Sequence, residues 1–209
     1  VRRDRADVFC AMEEGIRGER AKDWRLVDEV VANSKFDDAV KSRAEEFASK
    51  AARAEPVSGI ELTPLNRRFH ADGSITYSLL EVSVDRDARH AQIMVRGPEE
   101  VAPSDMAARE GQGAETYMLR LARELDDAIL HLRLNERELG LLVFKTQGDP
   151  QAVLAHEKLL LENRSNWLAN EILHYWKRVR KRIDRTSRSL VAFVEHGSCF
   201  AGVLAEILW

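Results

Sequence analysis

From residue 74 onward the hydrophobic period switches repeatedly between two and three-to-four residues, and this switching limits the possible folds more than any other feature. Ile75, Tyr77 and Leu79 alternate, then Leu80, Val82 and Val84 alternate on the opposite parity. The phase change predicts a bulge, or a strand covered on both faces. Asp85-Arg86-Asp87 reads as a turn, and Ala91, Ile93 and Val95 as a second strand closed by Gly97-Pro98. A loop rich in Pro, Gly and charge is expected over 98–114, then a helix from about Glu115 to Leu134. Leu141–Phe144 reads as a short buried strand. One long helix is expected from about Glu157 to Ile183, with Leu160, Trp167, Leu168, Ile172, Tyr175, Trp176 and Val179 on its buried stripe. Leu190–Val194 is a further apolar strand, leading into a glycine turn and a final helix. Strands alternating with helices imply an α/β layered domain. Short, wholly apolar strands suit a sheet covered on both faces.

The first 50 residues read differently. Phe36, Val40, Ala44, Phe47, Ala48 and Ala51 recur at helical spacing and share one face, with Asn33-Ser34 as a plausible start signal. A short hydrophobic segment, Trp24–Val31, precedes them. Pro56, Gly59, Pro64 and Gly73 then interrupt any period, so a linker is expected over 53–73, between a helical part at 1–52 and the α/β part at 74–209.

Composition narrows the function classes. The 209 residues carry 32 basic and 35 acidic side chains, a net charge of -3, which gives no whole-protein field for nucleic acid. The two cysteines, Cys10 and Cys199, form neither a metal-ligand spacing nor a disulfide framework, so a reduced, cytoplasmic setting without a metal is expected. No apolar run reaches membrane-spanning length, and no signal peptide is legible. The chain starts on Val1 and stops at Trp209 directly after an apolar run, which reads as an excised interior segment of a longer protein.

Two stretches resemble a known family. Gly18-Glu19-Arg20-Ala21-Lys22-Asp23-Trp24-Arg25-Leu26-Val27-Asp28-Glu29-Val30-Val31 is similar to a passage that follows the catalytic core of the crotonase (enoyl-CoA hydratase/isomerase) superfamily, with Arg25 in the place of that family's glycine. Leu190-Val191-Ala192-Phe193-Val194-Glu195-His196-Gly197-Ser198-Cys199-Phe200-Ala201-Gly202-Val203-Leu204-Ala205-Glu206 resembles the crotonase strand, glycine turn and helix, and Gly202 falls on the middle glycine of that turn. In one crotonase domain these passages occur in the opposite order. Two crotonase-like halves in tandem explain the inversion. The chain would hold the helical tail of a first half and the front of a second, divergent one. Tandem halves, together with the opening Arg3-Asp4-Arg5-Ala6-Asp7-Val8-Phe9-Cys10, resemble the epoxybenzoyl-CoA dihydrolase family over the whole chain.

The resemblance implies an enzyme acting on a CoA thioester. It would open the ring of epoxidised benzoyl-CoA with water and release formate, in aerobic benzoate breakdown. No metal or redox cofactor is implied, since the substrate itself carries coenzyme A, and a homo-oligomer is implied. Two backbone N–H groups would hold the thioester oxygen, and fixed donors of this kind contribute on the order of 3 kcal/mol each. Gly202 would supply one of them, although a glycine between a strand and a helix also serves as a plain turn residue. The family's catalytic glutamates lie in the first half, upstream of this segment. Where ordinary hydratases carry a glutamate three residues after the middle glycine, this chain has Ala205, and Glu206 lies about 100° further round a helix. The passage Gln147-Gly148-Asp149-Pro150-Gln151-Ala152-Val153-Leu154-Ala155-His156 also lacks a glycine at the second donor's place. A non-catalytic crotonase-like module that dimerises and supports its partner's site is therefore the competing expectation. An ordinary enoyl-CoA hydratase or isomerase is disfavoured by the motif order.

The remaining features have plain readings beside functional ones. Lys177, Arg178, Arg180, Lys181, Arg182, Arg185 and Arg188 could meet CoA phosphates, but cations are favoured near any helix C-terminus. His156 and His196 lack a paired ligand set and read as hydrogen-bonding residues, and Cys199 as a small buried thiol. Trp167, Tyr175 and Trp176 read as a core or dimer stripe.

Overall fold

The structure, a computed structural model, describes residues 2–51 and 59–208. Positions 53–58 of the expected linker, together with Val1, Ala52 and Trp209, lie outside the described residues. The chain divides into two compact units, Val1–Ser58 and Gly59–Trp209.

The first unit is helical: α1 spans Arg3–Ala11, α2 Gly18–Asp23 and α3 Phe36–Lys50, with a short 3-10 turn at Asn33–Lys35 leading into α3. The stretch Trp24–Val31 is not helical. Trp24 lies instead under the guanidinium groups of Arg5 and Arg20, 5.1 and 4.9 Å from the ring centre.

The end of α2 explains the position where the sequence departs from its look-alikes. Leu26 N–H donates to the Ala21 carbonyl at 2.9 Å, and Arg25 N–H to the Lys22 carbonyl at 2.8 Å. These are the two bonds of a Schellman stop, whose following residue adopts left-handed backbone and is usually glycine. Arg25 occupies it at φ 58°. A side chain there costs about 1–2 kcal/mol of backbone strain, part of which glycine's greater freedom in the unfolded chain offsets. Arg25→Gly is therefore expected to stabilise this stop by roughly 0.5–1 kcal/mol. Hydrogen exchange at the Leu26 amide reads it, as protection raised about two- to fivefold. Unchanged or lower protection would show that Arg25 is held there by something stronger.

The second unit carries a six-stranded sheet in simple sequence order: β1 Arg68–Phe69, β2 Ile75–Thr76, β3 Leu80–Asp85, β4 His90–Arg96, β5 Leu141–Gln147 and β6 Ser189–Phe193. β1 therefore falls inside the stretch read from sequence as linker. β1 to β4 pair antiparallel, and β4–β5 and β5–β6 pair parallel. The two parallel links run through helices, α4 (Met106–Gln112) and α5 (Tyr117–Asn135) before β5, then α6 (Pro150–Glu162) and α7 (Trp167–Asp184) before β6.

Four expectations need correction. The phase change at Leu79–Leu80 is neither a bulge nor a doubly covered strand. It is a reversal, in which Ile75 faces Val82 and Tyr77 N–H donates to the Leu80 carbonyl at 2.8 Å. The loop 98–114 contains α4, started by Asp105, whose carboxylate accepts from Ala108 N–H at 2.8 Å. The long helix is two helices. Asp149 and Pro150 start α6, and Asn166 starts α7 by accepting from Leu168 and Ala169 N–H at 2.9 and 3.2 Å. Finally, the sheet is not covered on both faces throughout. Glu81 and Ser83 of β3 are exposed opposite the buried Leu80 and Val82. β6 is an edge strand whose Leu190, Val191 and Phe193 remain exposed.

The core lies between the sheet and the helices. Leu80, Val82, Ala91, Ile93, Val95, Leu142 and Phe144 from the strands meet Leu121, Leu125 and Ile129 of α5 and Ile172, Trp176 and Val179 of α7. Trp176 is fully buried, and its Nε1–H donates to the Met118 carbonyl at 2.8 Å, which ties α7 to α5. Trp167, expected on the same stripe, is partly exposed at the start of α7. No helix among the described residues is long and apolar enough to cross a membrane.

Candidate functional site

Ligands of open α/β sheets bind outside the carboxyl ends of parallel strands. Here those ends are Arg96, Gln147 and Phe193, and the loops after them meet. Gly97 N–H donates to the Gln147 carbonyl at 2.8 Å, Gly148 N–H to the Gly197 carbonyl at 3.0 Å, and Cys199 N–H to Thr146 Oγ1 at 2.8 Å. The loops approach so closely that a Cβ on Gly148 would lie 2.9 Å from Gly97 Cα, and Gly148 has φ 148°. Cys199 Sγ closes the same junction, fully buried, with its thiol pushed above the usual range by burial. Its plain reading as a small buried thiol holds, since desolvation keeps it protonated and unreactive.

Beside this junction lies a cleft of about 320 Å³, lined among others by Ser78, Arg96, Pro98, Glu100, Tyr117 and Arg120. Tyr117 O–H donates to the Arg96 carbonyl at 3.1 Å, and burial raises its pKa. Behind Tyr117, the His156 ring packs edge-on with centroids 5.3 Å apart, and its Nε2 meets the Glu100 carbonyl at 3.1 Å. Burial lowers the His156 pKa, so the ring is neutral near pH 7. Arg109, fully buried, donates from one terminal nitrogen to the His156 carbonyl at 3.0 Å, and burial lowers its pKa to about 10. The reading of His156 as a hydrogen-bonding residue is therefore sound, while His196 is exposed. The cleft is small, since pockets that enclose drug-sized ligands start at about 300 Å³.

Glu124 forms the wall behind the cleft. It is buried on α5, and its carboxylate accepts from Leu79 N–H at 2.8 Å and Ser78 N–H at 3.3 Å. Burial raises its pKa and these two donors oppose the rise. A signal for it was present in the sequence. Glu124 lies three residues after Leu121 and four before Ala128, inside the apolar stripe, where a charged residue demands partners.

Gly202 lies apart from that cleft's lining. It opens a 3-10 segment, Gly202–Leu208, at φ 51°, rather than a regular helix. The carboxylate of Glu157, on α6, stands directly against it, and a Cβ built on Gly202 would run into that carboxylate. Burial and the neighbouring Glu206 raise the Glu157 pKa, against the opposing pull of Arg180. Glu206, which the helical projection turned away from Gly202, pairs with Arg180. Glu157 was missed in the sequence because the contact joins positions far apart in the chain, and no local spacing announces it.

The basic cluster at the end of α7 is taken up inside the fold in part, while Lys177, Arg178, Lys181 and Arg185 stay exposed. Arg182 pairs with Asp126 at 2.8 Å, and Arg188 donates to the carbonyls of Leu139, Leu132 and Glu136 at 2.9–3.0 Å, closing the end of α5. Tyr175 O–H donates to Asp126 at 3.2 Å. No group of three or more His, Cys, Asp or Glu among the described residues is placed to hold a metal ion.

No family model matches the chain. It is 44% identical over 207 residues to the benzoyl-CoA-dihydrodiol lyase of Aromatoleum evansii, a match that takes in 99% of this chain and 37% of that protein. The chain thus spans about a third of the length of this curated relative, and along nearly all of its own length it is related to a benzoyl-CoA-dihydrodiol lyase.

Proposed function

We propose that this chain is part of a cytoplasmic lyase that opens the ring of epoxidised benzoyl-CoA with water and releases formate, in aerobic benzoate breakdown. The observation that carries the reading is the 44% identity to a benzoyl-CoA-dihydrodiol lyase, sustained over 99% of the chain. A match of that extent spans both compact units, which favours a common role for the whole segment over a borrowed motif. The tandem arrangement of two crotonase-like halves belongs to the same proposal, with the boundary in the 53–73 region. So do assembly as a homo-oligomer and chemistry without a metal or redox cofactor, the substrate carrying coenzyme A. A generic enoyl-CoA hydratase or isomerase fits less well, because the two resembling passages run in the inverted order.

Within that protein, this segment supports the reaction rather than performs it. Acid–base catalysis of ring opening needs a carboxylate free to exchange a proton with water or substrate. Glu124 is tied to two backbone donors, Glu157 faces the Gly202 turn, and Glu206 is paired with Arg180. Ala205, where ordinary hydratases carry a glutamate, and the lack of a glycine near 152–155 favour a structural, non-catalytic half.

The test is an exchange. The matched stretch of the Aromatoleum lyase is replaced by residues 1–209 of this chain, and formate release from epoxidised benzoyl-CoA is followed. Activity within about tenfold of the parent, a change of under 1.4 kcal/mol in transition-state stabilisation, supports the proposal. A folded, soluble hybrid with no formate release would refute it.

A further inference from the structure

We propose that residues 60–69, the segment that enters the second unit, form a strap that holds the rim of the cleft: the strap is clasped to α5 through Asp127, which also holds the first residue of that rim, so releasing the strap loosens the rim. The inference does not depend on the reaction proposed above.

The strap runs along one face of α5. The Thr63 carbonyl accepts from Arg123 at 2.6 Å, and Thr63 Oγ1 donates to Glu115, just before the helix, at 2.9 Å. One terminal nitrogen of Arg67 donates to both carboxylate oxygens of Asp127, at 2.9 and 2.8 Å. The Phe69 ring meets the His131 ring with centroids 5.1 Å apart, and the Arg67 guanidinium lies 4.9 Å from the centre of the same Phe69 ring. Arg123, Asp127 and His131 follow one another at four-residue steps, which places them on one side of the helix. Their partners Thr63, Arg67 and Phe69 meet them in the same order. At the start of the strap Ile60 packs against the core.

Asp127 joins the strap to the rim. Its Oδ2, held by Arg67, also accepts from the hydroxyl of the buried Tyr77 at 2.7 Å. Tyr77 opens the reversal between β2 and β3. One turn earlier on α5, Glu124 holds the other two residues of the reversal, Ser78 and Leu79, by their N–H groups. Ser78 and Leu79 line the cleft. The reversal has no glycine, proline or asparagine to set its shape, so its geometry depends on these two carboxylates. Arg67 fixes one of them from outside.

Hydrogen exchange of the full 209-residue chain reads the coupling at the Ser78 and Leu79 amides. Arg67→Ala is expected to speed exchange there about two- to fivefold, the size set by losing a partly exposed ion pair. The Leu142 and Phe144 amides of β5 are expected to stay unchanged. Unchanged exchange at Ser78 and Leu79 would overturn the proposal. So would an equal rise in β5, which would mark a weakening of the whole unit. Tyr77→Phe keeps the ring and cuts the link between Asp127 and the reversal. In that background Arg67→Ala is expected to lose at least about half of its effect on the two amides. An undiminished effect would overturn the proposal as well, since the strap would then act by a path other than Asp127.

Discussion

Trp176→Ala is expected to lower the unfolding free energy of the Gly59–Trp209 unit by roughly 3–5 kcal/mol, as measured for other large aromatic-to-alanine changes in protein cores. Trp176 is fully buried at the meeting of α5, α7 and the sheet. Its removal loses the transfer energy of the largest buried side chain in the unit and leaves a void that the rigid strands cannot fill. It also removes the Nε1–H bond to the Met118 carbonyl, which fixes how far α7 sits along α5. Since whole domains are stable by only about 5–15 kcal/mol, the variant is expected near the threshold of folding at 37 °C. Trp176→Phe separates the two contributions: it keeps much of the volume and forfeits the hydrogen bond, for a loss of about 1–3 kcal/mol. Urea unfolding followed by far-UV circular dichroism reads both. A loss under about 1 kcal/mol for the alanine variant would mean that α5 and α7 are not held together here.

What could be read in the sequence divides along the range of the interactions. Ala91, Ile93 and Val95 announce β4 because a strand's period is local, and all three are fully buried. The reversal after Ile75–Thr76 was taken for a bulge or a strand covered on both faces, because Tyr77, Ser78 and Leu79 include no glycine, proline or asparagine. The donors of that turn are satisfied instead by Glu124, from a helix later in the chain. The merging of α6 and α7 has a different cause. Leu160 and Leu168 continue a helical stripe across the break, and the caps, Asp149 and Asn166, were present but outweighed by the apolar period. Leu190–Val194 was read as an apolar strand, and its exposure was not legible, because it lies at the edge of the sheet, which composition alone does not distinguish from the middle.

The site followed the same rule. The strand, glycine turn and following helical turn around Gly202 were legible because they are continuous in sequence. The left-handed backbone at Arg25 was foreshadowed by the glycine of the crotonase look-alikes at that position. Glu157, Arg109 and the loop junction at Gly97, Gly148 and Cys199 were not legible, because each depends on which elements the fold brings together.

The second large effect concerns activity, and it tests the proposal that this chain is part of a longer lyase whose proton-transferring groups lie outside these residues. Of the carboxylates near the ends of the parallel strands, some are engaged, while Glu99 and Glu100 line the cleft itself. Glu124 accepts two backbone hydrogen bonds, and Glu206 pairs with Arg180. The direct measurement is formate release by the purified 209-residue chain, verified as folded by circular dichroism, from epoxidised benzoyl-CoA at enzyme-level concentrations. No release above the buffer blank is the expected result, a complete loss relative to the full-length lyase. Formate released in proportion to the amount of chain would contradict the account and place the catalytic groups inside these residues.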